Sequence, residues 1–245
     1  MTQVAVANQI WNYQEIGSGK GTPIMILHGW GRSGNEWIEM AEGLSTWSGR
    51  KVYVLDLPGF GGSSLPQVKT ITDYSQLIVE FCRYLEIERV ILIGHSLGGR
   101  VGIILSAKYP EMIETTVLVD PAGVKPKSLK RVVLKTVAKM FAWVPSSLRK
   151  KMVSEMMDED YRNSPKLRDL YRVIVGEDLR KYLSEIKCAT TIVWGENDPI
   201  LPLSLTKIYH LLISDNKVKV VWGAGHDPHI DKYEQTLSIL QEASE

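Results

Sequence analysis

A serine in this chain stands in a pattern that often surrounds catalytic nucleophiles. Ser96 lies within Gly94-His-Ser-Leu-Gly-Gly99, which matches G-x-S-x-G. A serine hydroxyl at its ordinary pKa is a weak nucleophile, so it needs a nearby base, and that base needs an acid to orient it. The chemistry indicated is therefore nucleophilic attack by Ser96, assisted by a histidine and a carboxylate.

The residues around Ser96 are those of a tight turn between a strand and a helix. The apolar run Arg89–Gly94 comes before it, and the helical spacing of Leu97–Tyr109 follows. Gly94 and Gly98 let the neighbouring chain approach without a clash, and such a turn presents the hydroxyl at the carboxyl end of a sheet. Glycine-rich turns also occur without catalysis, but this strand-to-helix position favours Ser96 as a nucleophile.

Candidates for the base and the acid follow later apolar runs. His226 comes after Lys217–Trp222 and a Gly-Ala-Gly approach, and Asp198 follows Thr190–Trp194. Asp120, at the end of another apolar run, is a rival for the acid. The chain order serine, aspartate, histidine is the order used by G-x-S-x-G enzymes with this alternation of strands and helices. We therefore predict His226 as the base and Asp198 as its orienting acid.

A second histidine, His229, comes three residues after His226. Two histidines at this spacing on a helix would share one face, as metal ligands can, but Pro228 and the glycine-rich approach predict a loop. No cluster of cysteines or histidines elsewhere supplies further ligands at a typical spacing. We therefore predict no metal and no cofactor, and we expect His229 to begin the C-terminal helix as a packing residue.

Attack of a serine on a carbonyl carbon, as in acyl transfer, places negative charge on the carbonyl oxygen. Hydrogen-bond donors, usually backbone amides, are needed to stabilise this oxyanion. Leu97, directly after the nucleophile, is expected to supply one. The loop after the apolar run Pro23–His28 continues Gly-Trp-Gly, and the amide of Trp30 is expected to supply the other. Trp30 is also predicted to contact substrate. His28 itself is expected to brace this loop by hydrogen bonding, and His95 to point away from the place where the base stands.

The elements that must position these residues alternate between strand and helix. Nearly continuous apolar runs predict strands that are buried on both faces. The alternation predicts an α/β fold with a mostly parallel sheet flanked by helices, with an antiparallel hairpin of Gln3–Ala7 and Ile10–Ile16 at its edge. The predicted strands are Pro23–His28, Lys51–Asp56, Arg89–Gly94, Thr115–Asp120, Thr190–Trp194 and Lys217–Trp222, and the predicted helices are Tyr74–Leu85, Leu97–Tyr109 and Ser204–Leu212.

One long interval contains no convincing strand. Apolar residues from Leu129 to Val144 have the spacing of an amphipathic helix, whose other face is strongly basic. We predict a helical cap in which Phe141 and Trp143 contact substrate. A basic amphipathic helix could instead lie on an anionic membrane surface, but a cap helix with a solvated polar face is favoured. The predicted division is a core of residues 1–121 and 188–245 and a cap of residues 122–187.

Composition excludes several other classes of protein. The chain of 245 residues is 44% apolar and 23% charged with a net charge of +1, which is typical of a globular protein without a nucleic-acid partner. It has neither a signal-peptide pattern at its N-terminus nor an apolar run of the roughly 18 residues that a membrane span needs. Cys82 and Cys188 stand in no motif, which fits a reducing compartment. We expect a cytoplasmic protein, and the sequence specifies no oligomeric state.

Together these residues resemble the α/β-hydrolase fold family, specifically its lid-bearing serine carboxylesterase-like members. The resemblance implies the α/β-hydrolase fold with a helical cap insertion. It also implies that Ser96, His226 and Asp198 form a triad, with Trp30 and Leu97 at the oxyanion hole. Its substrates would be carboxylic esters with small to medium acyl or aromatic groups, cleaved through an acyl-enzyme. The matching motifs, in family order, are His28-Gly-Trp-Gly31, Asp56-Leu-Pro-Gly-Phe-Gly-Gly-Ser63, Gly94-His-Ser-Leu-Gly-Gly99, Gly195-Glu-Asn-Asp198 and Gly225-His226.

Departures from related patterns separate the alternatives. Carbon–carbon bond hydrolases share the fold and the triad, but they typically have Asn before the serine and Trp after the histidine, where this chain has His95 and Asp227. Ser96 excludes the members with an aspartate nucleophile. The loop at residues 28–31 looks like that of pimeloyl-ester hydrolases, which usually carry Trp in place of His95. A non-catalytic ligand-binding member and acyl transfer to an acceptor other than water stay open.

Overall fold

The fold is built around one twisted layer of strands. A computed structural model describes residues 1–124 and 165–245, and within these ranges eight strands form one sheet. In chain order the strands are β1 Thr2–Val6, β2 Gln9–Ile16, β3 Ile24–Leu27, β4 Val52–Asp56, β5 Val90–His95, β6 Ile113–Val119, β7 Ala189–Gly195 and β8 Asn216–Val221. Their spatial order is β1-β2-β4-β3-β5-β6-β7-β8. Strands β3 to β8 run parallel, and β1 and β2 are antiparallel at one edge.

Helices cover both faces of this sheet. The described helices are α1 Ile38–Ser48, α2 Ile71–Tyr84, α3 Leu97–Lys108, α4 Pro165–Val175, α5 Arg180–Leu183, α6 Thr206–Leu212, α7 Pro228–Asp231 and α8 Tyr233–Ala243. Helices α1 and α8 contribute to the apolar core on one face, and α2 to α6 contribute to the core on the other.

The central strands are apolar at nearly every position because helices cover both of their faces. All four residues of β3 are buried. Since side chains alternate between the faces of a strand, Met25 and Leu27 join the core on the side of α2 and α3. Ile24 and Ile26 join the core on the side of α1 and α8. A sheet covered in this way leaves the carboxyl ends of its parallel strands as the place where loops can form a site.

The predicted fold class is confirmed, and each predicted strand agrees with an observed strand to within about two residues at either end. The expected N-terminal hairpin is also present, with Val4 opposite Trp11. Long apolar runs predict buried parallel strands well because few other elements need so many consecutive apolar residues.

Sequence analysis did not predict helix α1. Its apolar periodicity is interrupted by Gly43, which is unfavourable within a helix. The structure shows why a small residue is needed there, because a Cβ at Gly43 would lie 3.0 Å from the Leu237 side chain of α8. Helix α1 is therefore stabilised by close packing against α8, and this contact cannot be recognised from the apolar pattern of α1 alone.

The predicted cap lies only partly within the described residues. Its C-terminal part contains α4 and α5, and Leu170 and Ile174 of α4 are buried against the core. The amphipathic helix predicted from Leu129 to Val144 lies outside the described residues. Among the described helices, none combines the length and the apolarity that crossing a bilayer requires.

Candidate active site

Ser96 occupies the sharp turn between β5 and α3. Its backbone has φ 49° and ψ −103°, a conformation that non-glycine residues rarely adopt. The amide of Ser96 donates to Val119 O at 3.0 Å, and its carbonyl accepts from the amide of Ala122 at 3.1 Å. These contacts with the end of β6 hold a strained residue in place, as is common at functional sites.

Glycines on both sides of Ser96 allow this turn to form. A Cβ added at Gly98 would lie 2.1 Å from Leu27 O, and one added at Gly94 would lie 2.5 Å from Gly98 O. Both distances are far below van der Waals contact, and both involve backbone atoms that cannot rotate away. The G-x-S-x-G spacing is therefore a steric requirement of the turn, as the sequence indicated.

The structure brings the three predicted triad side chains together. His226 Nε2 lies 3.0 Å from Ser96 Oγ, and His226 Nδ1 lies 2.6 Å from Asp198 Oδ2. Both distances are within normal hydrogen-bond range. The side chains come from three separate loops, which follow β5, β7 and β8. This geometry is the one that the predicted roles of nucleophile, base and orienting acid require, and the roles themselves stay predictions.

Asp198 is held so that one carboxylate oxygen is left for the histidine. Its Oδ1 accepts hydrogen bonds from the amides of Ile200 at 2.7 Å and Leu201 at 2.8 Å. Its Oδ2 accepts from His226. These bonds fix the orientation of a buried carboxylate and satisfy the charge that burial would otherwise penalise.

Asp120, the rival acid, lies close to Asp198 but has a different hydrogen-bond partner. The two carboxyl groups and the ring of His226 have polar atoms within 4.8 Å of one another. Asp120 Oδ1 accepts from the amide of Gly195 at 3.0 Å. Burial, together with the charge of Asp198, raises the pKa of Asp120 well above its ordinary value. Asp120 is therefore protonated more readily than an ordinary aspartate.

His95 lies closer to the base than the sequence suggested. Its ring was expected to point away, but it is 5.2 Å from the ring of His226, and its Nε2 donates to the backbone carbonyl of His226 at 2.8 Å. The lack of a side chain at Gly29 leaves room for the His95 ring, since a Cβ at residue 29 would lie 3.0 Å from His95 Nδ1. His95 thus fixes the backbone of the loop that carries the base.

His229 packs beneath the same loop, as expected of a packing residue near the site. Its ring stacks on Trp37 with 4.0 Å between centroids and an angle of 12° between planes. His95, Asp227 and His229 have polar atoms within 4.8 Å of one another, which is a spacing that metal ligands can have. Arg32, however, donates to the Asp227 carboxylate at 2.9 Å, and its charge opposes a second cation there. That no metal binds stays a prediction.

His28 braces the loop after β3 through both of its ring nitrogens. The amide of Leu57 donates to Nε2 at 2.9 Å, and Nδ1 donates to Gly29 O at 2.6 Å. The expected hydrogen-bonding role is therefore present. The ring is fully buried, and this burial lowers the pKa of His28 to about 4.

Three buried histidines predict that the protein loses stability in mild acid. Burial lowers the folded-state pKa to about 4 for His28, about 3 for His95 and about 2 for His229, from an ordinary value of 6.5. Below pH 6.5 the unfolded chain therefore binds more protons than the folded chain, so the free energy of unfolding decreases as the pH falls. Each group contributes up to about 1.4 kcal/mol per pH unit.

Urea unfolding at several pH values between 7 and 4.5 would measure this dependence. Replacing His229 with Phe keeps a ring against Trp37 and removes one titrating group, so the variant should show a shallower decrease. Equal slopes for the variant and the wild type would contradict a neutral, buried His229.

The cavity in front of Ser96 has a volume of about 400 Å³, within the range of small-molecule pockets. Trp30 and Leu97, the predicted oxyanion residues, both line it next to Ser96, and their assignment stays a prediction. The ring of Trp30 also packs edge-on against Phe60 at 4.8 Å and Tyr171 at 5.0 Å. The lining residues are Gly29, Trp30, Arg32, His95, Ser96, Leu97, Arg100, Ala122, Tyr171, Ile174, Val175, Ile200, Leu201, His226 and Asp227.

The two other predicted substrate contacts, Phe141 and Trp143, lie outside the described residues. Arg32, Arg100 and Asp227 line the cavity but were not among the predicted site residues. Arg32 and Arg100 belong to no recognised motif. Only their positions directly after the glycine-rich segments in the sequence could have suggested them as site residues.

Family comparison agrees with this architecture. A model of the alpha/beta hydrolase fold family matches residues 22–156. The chain belongs to the alpha/beta hydrolase fold family. This alpha/beta hydrolase is 26% identical to Lipase 1 of Psychrobacter immobilis over 247 residues, covering 91% of this chain and 77% of the lipase.

Solved structures of other alpha/beta hydrolases are similar over almost the whole chain. A bacterial membrane phospholipase A matches with a TM-score of 0.79 and 26% identity, covering 98% of this chain and 84% of the phospholipase. A variant of the meta-cleavage product hydrolase CumD matches with a TM-score of 0.74 and 20% identity, covering 98% of this chain and 96% of its own. At that lower identity the likeness shows the fold alone.

Proposed function

We propose that this alpha/beta hydrolase is a serine esterase that cleaves small-molecule carboxylic esters through an acyl-enzyme. The observation that carries the proposal is the hydrogen-bonded series from Ser96 through His226 to Asp198 at the edge of a largely apolar cavity. The similarity to a lipase and to a phospholipase, whose names denote ester hydrolysis, supports the same reaction class.

In the first half-reaction Ser96 Oγ attacks the ester carbonyl, and His226 Nε2 takes the hydroxyl proton. The carbonyl π electrons move to oxygen, and the amides of Leu97 and Trp30 are proposed to stabilise that oxyanion. When the tetrahedral intermediate collapses, the bond to the alcohol oxygen breaks and His226 donates its proton to the leaving alcohol. An ester between Ser96 and the acyl group remains.

In the second half-reaction water replaces the alcohol. His226 takes a proton from the water as it attacks the acyl carbonyl. When this intermediate collapses, the bond to Ser96 Oγ breaks, the acid leaves, and His226 returns its proton to Oγ. Asp198 keeps the Nδ1 proton of His226 in place and stabilises the imidazolium that forms in both halves. The Ile200 and Leu201 amides hold Asp198 in position for this role.

The cavity supports substrates of modest size. Its volume of about 400 Å³ and aliphatic wall, which includes Ile174, Val175 and Leu201, suit a short acyl chain or an aromatic group. We propose that residues 122–187 form the cap over this cavity, because α4 within that range supplies part of the wall.

A fluorophosphonate probe and a series of esters test the proposal. Wild-type protein should be labelled covalently, and p-nitrophenyl esters of graded acyl length should be hydrolysed with an optimum at short to medium chains. A folded protein that neither takes the label nor cleaves any ester would contradict the esterase and favour a ligand-binding member. Labelling with negligible hydrolysis across the series would instead favour acyl transfer or carbon–carbon bond cleavage.

A further inference from the structure

Arg100 places a buried positive charge in the wall of the cavity that contains Ser96. It lies one turn along α3 from Ser96, with its amide donating to Ser96 O at 3.1 Å. One turn corresponds to a rise of about 5.4 Å along the helix. The residue is 3% exposed and lines the cavity together with Ala122 and Ile174. Its guanidinium stays charged, because arginine is not deprotonated in proteins.

The guanidinium of Arg100 has few partners among the residues that the structure describes. Its Nη2 donates to Glu177 O at 2.6 Å, its Nε has no partner, and no ion pair to a described carboxylate is formed. Two described acidic residues that act electrostatically on Arg100, Glu177 and Asp178, are paired with other cations. Glu177 accepts from Lys181 at 2.8 Å, and Asp178 accepts from Arg180 at 2.7 Å.

An unpaired charge in this position is costly. Transfer of an ion from water to an apolar environment is strongly unfavourable unless an opposite charge compensates it. One backbone carbonyl satisfies only one of the five N–H donors of arginine. A neutral donor can also form a hydrogen bond to Glu177 O, so bridging α3 to the segment before α5 does not by itself require the charge.

We infer that Arg100 binds an ionised carboxylate on the acyl part of the substrate, so that the preferred esters are monoesters of short dicarboxylic acids. This inference rests on the proposed esterase function and specifies its substrate class. A planar guanidinium pairs with a carboxylate through two parallel hydrogen bonds, which adds direction to charge attraction. Because Ser96 is the N-cap of the helix that carries Arg100 and lies one turn before it, we expect a short acyl chain to connect the scissile carbonyl to the terminal carboxylate.

Matched pairs of substrates test this assignment. Monomethyl glutarate, adipate and suberate are compared with methyl pentanoate, hexanoate and octanoate, which have the same acyl lengths without the charge. Release of methanol gives kcat/KM for each ester. The wild type should prefer the charged member of at least one pair about tenfold or more. Esters with the carboxylate on the alcohol part, such as butanoyl glycolate, should show no such preference.

The variants separate charge recognition from packing. Arg100→Met should lower the ratio of kcat/KM for the charged ester to that for its neutral match about ten- to a hundredfold, the size of a lost charged hydrogen bond. Arg100→Lys should retain part of the preference. Arg83→Met, an exposed arginine on α2, is the matched control and should change neither class. Equal losses on charged and neutral esters, or no wild-type preference, would overturn the inference.

A binding measurement keeps this test independent of turnover. Calorimetric titration of the Ser96→Ala protein with glutarate and adipate should show binding that Arg100→Met abolishes. If no ester is cleaved and no fluorophosphonate label is taken, the esterase proposal fails, yet dicarboxylate binding that depends on Arg100 would still support anion recognition. Cleavage of neutral esters without any dicarboxylate binding would retain the esterase and reject the role of Arg100.

Discussion

Replacing Ser96 with alanine is expected to reduce ester hydrolysis by roughly 10⁴- to 10⁶-fold in kcat, because the reaction loses its only covalent acceptor for the acyl group. Labelling by a fluorophosphonate should also disappear. The fold should persist, since alanine adopts the φ of 49° at this turn no less easily than serine does, and the glycines at 94 and 98 are unchanged. The variant therefore isolates the hydroxyl.

Steady-state kinetics and mass spectrometry of the labelled protein measure both effects. Ser75→Ala is a suitable control, because Ser75 is fully buried away from the cavity and its hydroxyl donates to Ile71 O within helix α2. That variant should keep nearly full activity per folded molecule. Substantial esterase activity in Ser96→Ala, at a level that contaminating enzyme cannot explain, would rule out Ser96 as the nucleophile.

His226→Ala should cost several orders of magnitude in kcat, whereas His229→Ala should change it only slightly. The first removes the group that contacts both Ser96 Oγ and Asp198. The second removes a stacked ring beneath the loop, so its main effect should be on stability, by roughly 2–4 kcal/mol as for other large-to-small changes in a core. Rates must therefore be expressed per folded molecule.

Two measurements distinguish a chemical from a structural loss. Added imidazole should partly restore activity to His226→Ala, because the deleted ring leaves space beside Ser96, and should do nothing for His229→Ala. Urea unfolding should show the reverse, with the larger change in His229→Ala. Comparable losses of kcat in the two variants would mean that the base has been assigned to the wrong histidine.

The sequence predicted most of the sheet and the proximity of Ser96, Asp198 and His226, because both depend on local patterns. Buried parallel strands require continuous apolar runs, and a serine at a strand-to-helix turn requires glycine at 94 and 98, where any side chain would strike backbone. Once strand order is known, residues at the carboxyl ends of the strands must approach one another.

Features that depend on contacts between distant segments were harder to predict. The sequence favoured Asp198 over Asp120, but both follow strands, and only the structure shows which carboxylate His226 contacts. The position of His95 against His226 depends on Gly29, in a loop far away along the chain. Arg100 occupies an ordinary helical position, and only the cavity around it makes its charge notable.

The three imidazoles around residue 226 have a consequence for how protons move. His95 and His229 flank the loop of the base, yet burial lowers their pKa values to about 3 and about 2. Neither ring therefore accepts a proton at neutral pH, and His95 already uses its one N–H on a backbone carbonyl. In the proposed mechanism, neither of these two histidines therefore relays the proton that His226 takes from Ser96. His226 itself returns that proton to the leaving group in the cavity.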